Sequence, residues 1–171
     1  MNSWNYAGQW ALVTGASSGI GECFAAELAE RGMKLVLTAR NEARLHEVAQ
    51  RLRAEFQTEA VVIRQDLTAE GAPAQLWDLA SENRHIHLLI NNAGFGLRGH
   101  FHELSRERQS AMVRVNAVAL MELAHLAVPP IRDSNDGGII PGLPNRLAAT
   151  LSPLLPRSLT TRLAGLISRR H

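Results

Sequence analysis

Five short apolar runs punctuate this chain, and each of the first four is followed by apolar positions recurring at helical spacing. "QWALVT" (9–14) is continuously apolar until Gly15 ends it, as a buried strand would be. Ile20, Phe24 and Leu28 then recur every four residues until Gly32 stops the pattern. "KLVLT" (34–38) predicts a second strand, and Asn41 is placed to cap a helix carrying Leu45, Val48, Ala49 and Leu52 on one face. "AVVIR" (60–64) predicts a third strand, with a short helix after it marked by Leu76, Leu79 and Ala80. "HLLIN" (87–91) predicts a fourth. Ser105 then caps a longer helix with Met112, Val115, Ala119, Leu120 and Leu123 turned inward, and "GGII" (137–140) begins a fifth strand.

Strands that alternate with helices and are apolar throughout belong to a parallel sheet covered on both faces. Right-handed crossovers make this a doubly wound α/β sheet. Internal repeats and low-complexity tracts are absent from the sequence.

Composition agrees and adds one break. A chain of 171 residues with 46% hydrophobic and 20% charged positions reads as one globular domain. No apolar run reaches the roughly 18–20 residues that span a bilayer, and the first residues lack the pattern of a secretory signal. A single cysteine, Cys23, leaves no disulfide framework or thiolate zinc site. The expectation is a cytoplasmic protein with neither membrane nor nucleic-acid partners. Residues 1–140 hold thirteen Lys and Arg against sixteen Asp and Glu, whereas 141–171 hold five Arg, no acid and four of the seven prolines. The reading is therefore a sheet domain over 1–140 and an atypical, poorly ordered or non-native tail over 141–171. Five arginines without interleaved aromatics make a thin case for nucleic acid.

"VTGASSGIG" (13–21) carries the clearest chemistry. After a strand and at a helix start, Gly15 permits a tight turn, Gly19 lets backbone approach a pyrophosphate, and Gly21 allows close helix–strand packing. The helix N-terminus offers N–H groups and a positive dipole end to the anion, and Ser17 and Ser18 add hydroxyls. "GFGLRG" (94–99) matches the same glycine spacing, but no helix opens at Gly99 and no acid follows at about 20 positions. It reads as a mobile loop near the site. After the second strand stands "TARN": Ala39 is neutral where a carboxylate would meet a ribose 2′-OH, and Arg40 suits a 2′-phosphate. NADP(H) is thus preferred over NAD(H). The pairs His85/His87 and His100/His102 have metal-compatible spacing, but with no third ligand nearby they read as solvated histidines.

"TGASSGIG" (14–21), "DL" (66–67), "NNAG" (91–94) and the asparagine of "VNAVAL" (115–120) occur in the order and at the spacing of the classical short-chain dehydrogenase/reductase family, which the chain resembles over about residues 8–140. The resemblance implies a Rossmann-like fold in which Gly15, Ser17, Ser18, Gly19, Ile20 and Gly21 cradle the phosphates of a nicotinamide dinucleotide. It implies that Asp66 accepts from the adenine amine with Leu67 beside it, and that Asn92, Ala93 and Gly94 line the ribose side. Asn116 would hold a water in the family's proton relay. Its sharing a face with Met112, Ala119 and Leu120 predicts a buried amide in need of partners.

The same resemblance requires a serine, a tyrosine and a lysine four residues after it. This chain has one tyrosine, Tyr6, and one lysine, Lys34, and no Tyr-x-x-x-Lys. By family spacing the serine falls at Leu143 or Pro144 and the tyrosine at Pro156 or Arg157. Pro141 removes a ladder donor directly after the fifth strand, and Pro153 and Pro156 interrupt any helix after it. The sixth and seventh strands, and the helix carrying the Tyr/Lys pair, have no counterpart in the sequence. The expectations are a shifted reading frame or rearranged gene end from about residue 141, an uncovered sheet edge that favours self-association, and negligible turnover. The activity implied is hydride transfer between nicotinamide and a small carbonyl or secondary alcohol. The alternative is a non-catalytic remnant that binds a nucleotide or a partner; the motifs after the first loop disfavour a methyltransferase.

Overall fold

The computed structural model describes residues 6–133 and 138–140. Five parallel strands, β1 (Trp10–Thr14), β2 (Lys34–Ala39), β3 (Ala60–Arg64), β4 (Ile86–Ile90) and β5 (Gly138–Ile140), form one sheet in the order β3-β2-β1-β4-β5. The strand order changes direction between β1 and β4. Loops leave that point on opposite faces, and open α/β sheets bind ligands in the resulting crevice at the carboxyl ends.

Alternate strand residues face opposite layers, which is why the runs are apolar without interruption. Ala11, Val13, Leu35 and Leu37 pack under α1 (Gly19–Glu30) and α2 (Glu42–Phe56). Leu12, Val36 and Leu89 pack under α3 (Ala72–Ser81) and the long final helix. The Asn41 side chain accepts from Arg44 N–H at 3.1 Å and caps α2, whose Leu45, Val48, Ala49 and Leu52 are all fully buried. Ser105 caps the next long helix by accepting from Arg108 N–H, and its hydroxyl donates to Glu107 at 2.8 Å. That bond holds the Glu107 carboxyl below its ordinary range.

The long helix departs from the regular pattern. It begins as α4 (Arg106–Val113), passes through a π turn at Arg114–Val118, and continues as α5 (Ala119–Asp133). Ala119 N–H donates to the Arg114 carbonyl, five residues back. One residue more than a regular turn changes the helix phase. Val115, Ala119 and Leu123 face the core as expected, but Met112 and Leu120 are only half-buried and α4 buries no residue. Asn116 is exposed instead of buried, because the altered phase of the turn gives the core face to its neighbour Val115. In α3, Leu79 is 49% exposed although Leu76 and Ala80 are buried. The stripe there is narrower than the sequence suggested.

No unbroken apolar run of spanning length occurs, but one helix approaches a membrane span by its average composition. The continuous helix Arg106–Asp133 is long and apolar enough to cross a bilayer by length and composition. Its own Val115, Ala119, Leu123, Ala127 and Ile131 face the core, and 22% of its apolar window is buried. The tail read at 141–171 lies outside the described residues, as does Gly137 of the fifth-strand reading.

Two buried threonines, paired in register across β1 and β2, differ in their bonding. Thr14 Oγ1 donates to the Ile90 carbonyl (3.2 Å) and accepts from Asn92 N–H and Ala93 N–H (2.9 Å each). Thr38 Oγ1 is buried without a partner among the described residues. Thr14→Val should therefore cost about 2–3 kcal/mol, whereas Thr38→Val should be neutral or stabilise by about 1 kcal/mol. Urea unfolding of the two variants measures the difference in sign.

Candidate functional site: the carboxyl edge at the switch point

The loop after β1 enters α1 through Ser18, which is extended (φ −168°, ψ 162°) and makes no side-chain cap bond. The first-turn N–H groups thus lack the hydroxyl partner that a serine at this position normally gives. They point from a helix N-terminus toward the crevice, an arrangement that suits an anion. Glu22 in this first turn would oppose an anion. Its carboxylate is instead drawn sideways by Arg51 (2.8 Å) and Arg44 (3.6 Å) of α2. Glu47 and Glu22 in turn raise the Arg44 pKa above its ordinary value.

Spacing alone explains two of the glycines. A Cβ at Gly21 would overlap the Gly15 carbonyl oxygen, so α1 can approach the loop only with hydrogen there. A Cβ at Gly94 would lie 2.7 Å from Asn116 Oδ1. Gly19 differs: it adopts φ +60° and nothing lies within 4 Å of a Cβ built on it. That open space beside free helix N–H groups is what a phosphate cradle requires.

The loop after β4 is laced to β1 by Asn92, whose Nδ2 donates to the Thr14 carbonyl (3.1 Å) and the Gly15 carbonyl (3.4 Å). Ala93 lies against Gly15. Asn91 is buried, and its Nδ2 donates to the Leu120 carbonyl at 3.2 Å, tying β4 to α5 just past the π turn. Asn116 holds the Phe95 peptide at both ends. Its Oδ1 accepts from Phe95 N–H at 3.1 Å and its Nδ2 donates to the Phe95 carbonyl at 2.9 Å.

The structure thus brings Gly15, Gly21, Asn92 and Ala93 together, joins Gly94 to Asn116, and sets the Arg40 guanidinium 5.8 Å from the Phe95 ring centroid. Ser17 is half-buried, and Ser18 and Gly19 are exposed on the same loop, beside half-buried Ile20. Asp66 is exposed, and its Oδ1 accepts from Thr68 N–H (3.0 Å) and Thr68 Oγ1 (2.9 Å) in a local turn. Leu67 is buried in the core with Trp77, Val115 and Ala119, so its side chain is unavailable to a ligand. Thr14, Asn91 and Phe95 carry contacts that sequence reasoning left unassigned. Thr14 and Asn91 had a signal: each is the lone polar residue closing an apolar run. Among the described residues no group of three metal-ligating side chains occurs; His85 and His87 meet edge to face at 4.6 Å, and His100 and His102 stack at 6.0 Å.

Tyr6 and Lys34 lie elsewhere. The Arg31 guanidinium sits 5.2 Å from the Tyr6 ring centroid, and Lys34 pairs with Glu59 at 3.2 Å. Both stand at the amino end of the strands. Strands of five to six residues, at roughly 3.3 Å per residue, put well over 10 Å between that end and the crevice.

A parallel sheet with this switch point, glycine loop and exposed helix N-terminus is the architecture of the dinucleotide-fold class. The short chain dehydrogenase family profile matches residues 9–141, and the chain belongs to that family. It is 34% identical over 131 residues to an uncharacterized oxidoreductase of Staphylococcus epidermidis, covering 76% of this chain and 55% of that protein. It is 30% identical over 135 residues to the human inactive hydroxysteroid dehydrogenase-like protein 1, covering 78% and 41%. The chain thus spans between about two-fifths and just over half of these relatives. A short-chain dehydrogenase from Sphingobium yanoikuyae in complex with NADPH superposes with TM-score 0.72 at 37% identity, over 77% of this chain and 51% of that one. A family member from Burkholderia phymatum in complex with NAD gives TM-score 0.74 at 32% identity, over 80% and 49%.

Gly21→Ala should cost about 3 kcal/mol or more, because its new methyl meets backbone that cannot yield. Gly19→Ala should cost only the left-handed strain of about 1–2 kcal/mol. Thermal unfolding ranks the two.

Proposed function

We propose that this chain binds a nicotinamide dinucleotide across the carboxyl edge of its sheet, with NADP(H) preferred over NAD(H), and that the 171-residue polypeptide has negligible turnover. The observation that carries the reading is the uncapped N-terminus of α1 beside the open space at Gly19. Gly15, Ser17, Ser18, Gly19, Ile20 and Gly21 would surround the pyrophosphate. Asp66 retains an oxygen for the adenine amine, with the Leu67 main chain beside it. Asn92, Ala93 and Gly94 would border the ribose with backbone, since the Asn92 amide N–H groups are already committed to β1. Arg40, with five donors on a permanent cation, matches a 2′-phosphate. The NADPH complex of the Sphingobium relative supports this choice, and the NAD complex of the Burkholderia relative marks the competitor.

Bound, the dinucleotide would supply hydride exchange with a carbonyl or secondary alcohol. The protein's share of that reaction is proton transfer, for which a free tyrosine near pKa 10 needs a neighbouring cation. Neither Tyr6 nor Lys34 is at the site, and positions 143–144 and 156–157 carry no serine, tyrosine or lysine. Asn116, committed to the Phe95 peptide, would act by holding that loop, with water at the π turn a further duty. Titration of the full chain with NADPH, followed by nicotinamide fluorescence, should show saturable binding, while NADPH oxidation with ketones stays at background. Saturable binding absent, or robust oxidation, refutes the respective half of the proposal. Reading the gene past codon 140 in the other frames tests whether a serine and Tyr-x-x-x-Lys follow there.

We also propose self-association through the long helix, where Val113, Val118, Met121 and Val128 are exposed. Apolar residues gathered on one exposed helix suit burial against a second copy. Met121→Glu should shift the chain toward monomer in sedimentation without lowering its melting temperature.

A further inference from the structure

Phe95 belongs neither to the phosphate loop nor to any acid–base pair, yet it is among the most firmly held residues of the crevice. Asn116 fixes its peptide from both sides. Its ring is partly buried against the core cluster that contains Leu12, Leu67 and Val115. Gly94, immediately before it, has no room for a side chain beside Asn116. Facing this fixed ring is a side chain held by little else. Arg40 is exposed, lies at the end of β2, and has no hydrogen-bond or ion-pair partner among the described residues. Its Cζ stands 5.8 Å from the Phe95 ring centroid, within cation–π range.

β2 and β4 flank β1 on opposite sides, so this contact crosses the carboxyl edge above the central strand. A cation–π contact spends no hydrogen-bond donor, so the guanidinium N–H groups stay available to phosphate oxygens. A long exposed side chain loses rotamer freedom when it grips an anion, and a ring that restricts it beforehand lessens that loss.

We infer that Phe95 is a positioning residue for the 2′-phosphate: anchored by Asn116, its ring holds Arg40 over the crevice and so sets the preference for NADP(H) over NAD(H). The inference rests on the dinucleotide reading above. It links two residues that the sequence presents as unrelated, one read as a phosphate ligand and one inside a loop that mimics a glycine motif.

The test is equilibrium binding by the full chain, with no turnover needed. Affinities for NADPH and NADH are measured by nicotinamide fluorescence, and those for 2′,5′-ADP and 5′-ADP by calorimetry. Phe95→Leu keeps apolar bulk but removes the π face. It should lower the NADPH-to-NADH affinity ratio about three- to tenfold, the range expected of a partly exposed cation–π contact. Phe95→Tyr should preserve the ratio. Arg40→Ala should bring the ratio close to one, and Phe95→Leu added to it should change nothing further, because the two act through one contact. The ADP pair, which lacks nicotinamide, should follow the same pattern. If Phe95→Leu weakens both dinucleotides equally, or lowers the ratio further in the Arg40→Ala background, the positioning role is overturned and the dinucleotide reading stands. If the unaltered chain binds neither dinucleotide, both fall together.

Discussion

The crevice depends on how the carboxyl ends of β1 and β4 are joined. Parallel strands that part at a switch point leave their last carbonyls and the first loop N–H groups without ladder partners, and buried backbone groups must be satisfied. Thr14 and Asn92 do this between them. One hydroxyl takes part in three hydrogen bonds, and one amide returns to the carbonyls of Thr14 and Gly15. Because the joint is made of short polar side chains, the loops meet at backbone distance. Gly15 and Gly21 are small for that reason, whereas Gly94 is small because Asn116 stands against it.

The same constraint explains what the sequence disclosed. Buried parallel strands read as short apolar runs, so β1 to β4 were legible to within a residue or two. α2 was equally plain, since Asn41 and the stripe from Leu45 to Leu52 state its cap and its face. The glycine loop was legible because steric need and residue type coincide there. Where one residue changes the helical phase, the pattern misleads. A π turn leaves no compositional trace, so Asn116 was expected to be buried and Met112 and Leu120 to point fully inward. Leu67 turns its side chain into the core, so only its main chain is left to face the crevice. Arg40 and Phe95 are 55 positions apart, and no local rule pairs them.

Electrostatics at the edge follow a similar economy. An acidic residue in the first turn of α1 would normally favour the helix dipole and repel a bound anion. Arg44 and Arg51 on α2 draw Glu22 aside, so the helix keeps its acid without presenting it to the crevice. At the far end of the sheet, Tyr6 and Lys34 engage Arg31 and Glu59. The polar chemistry of the described residues is thus divided between two rims, and only the carboxyl rim has the geometry of a ligand site.

The π turn between α4 and α5 acts as a fixed angular offset between two lengths of one rod. Upstream of it the rod rides free of the sheet; downstream it lies along it. Removing one residue from the turn would leave Ala119 four residues from Arg114, and the same hydrogen bond would close an ordinary α turn, so Ala127 and Ile131 would keep their places on the core face. Removing one residue beyond the turn would instead rotate every later side chain by about 100° and swing Val128 and its neighbours toward the sheet. The turn can therefore absorb a change of length that α5 cannot.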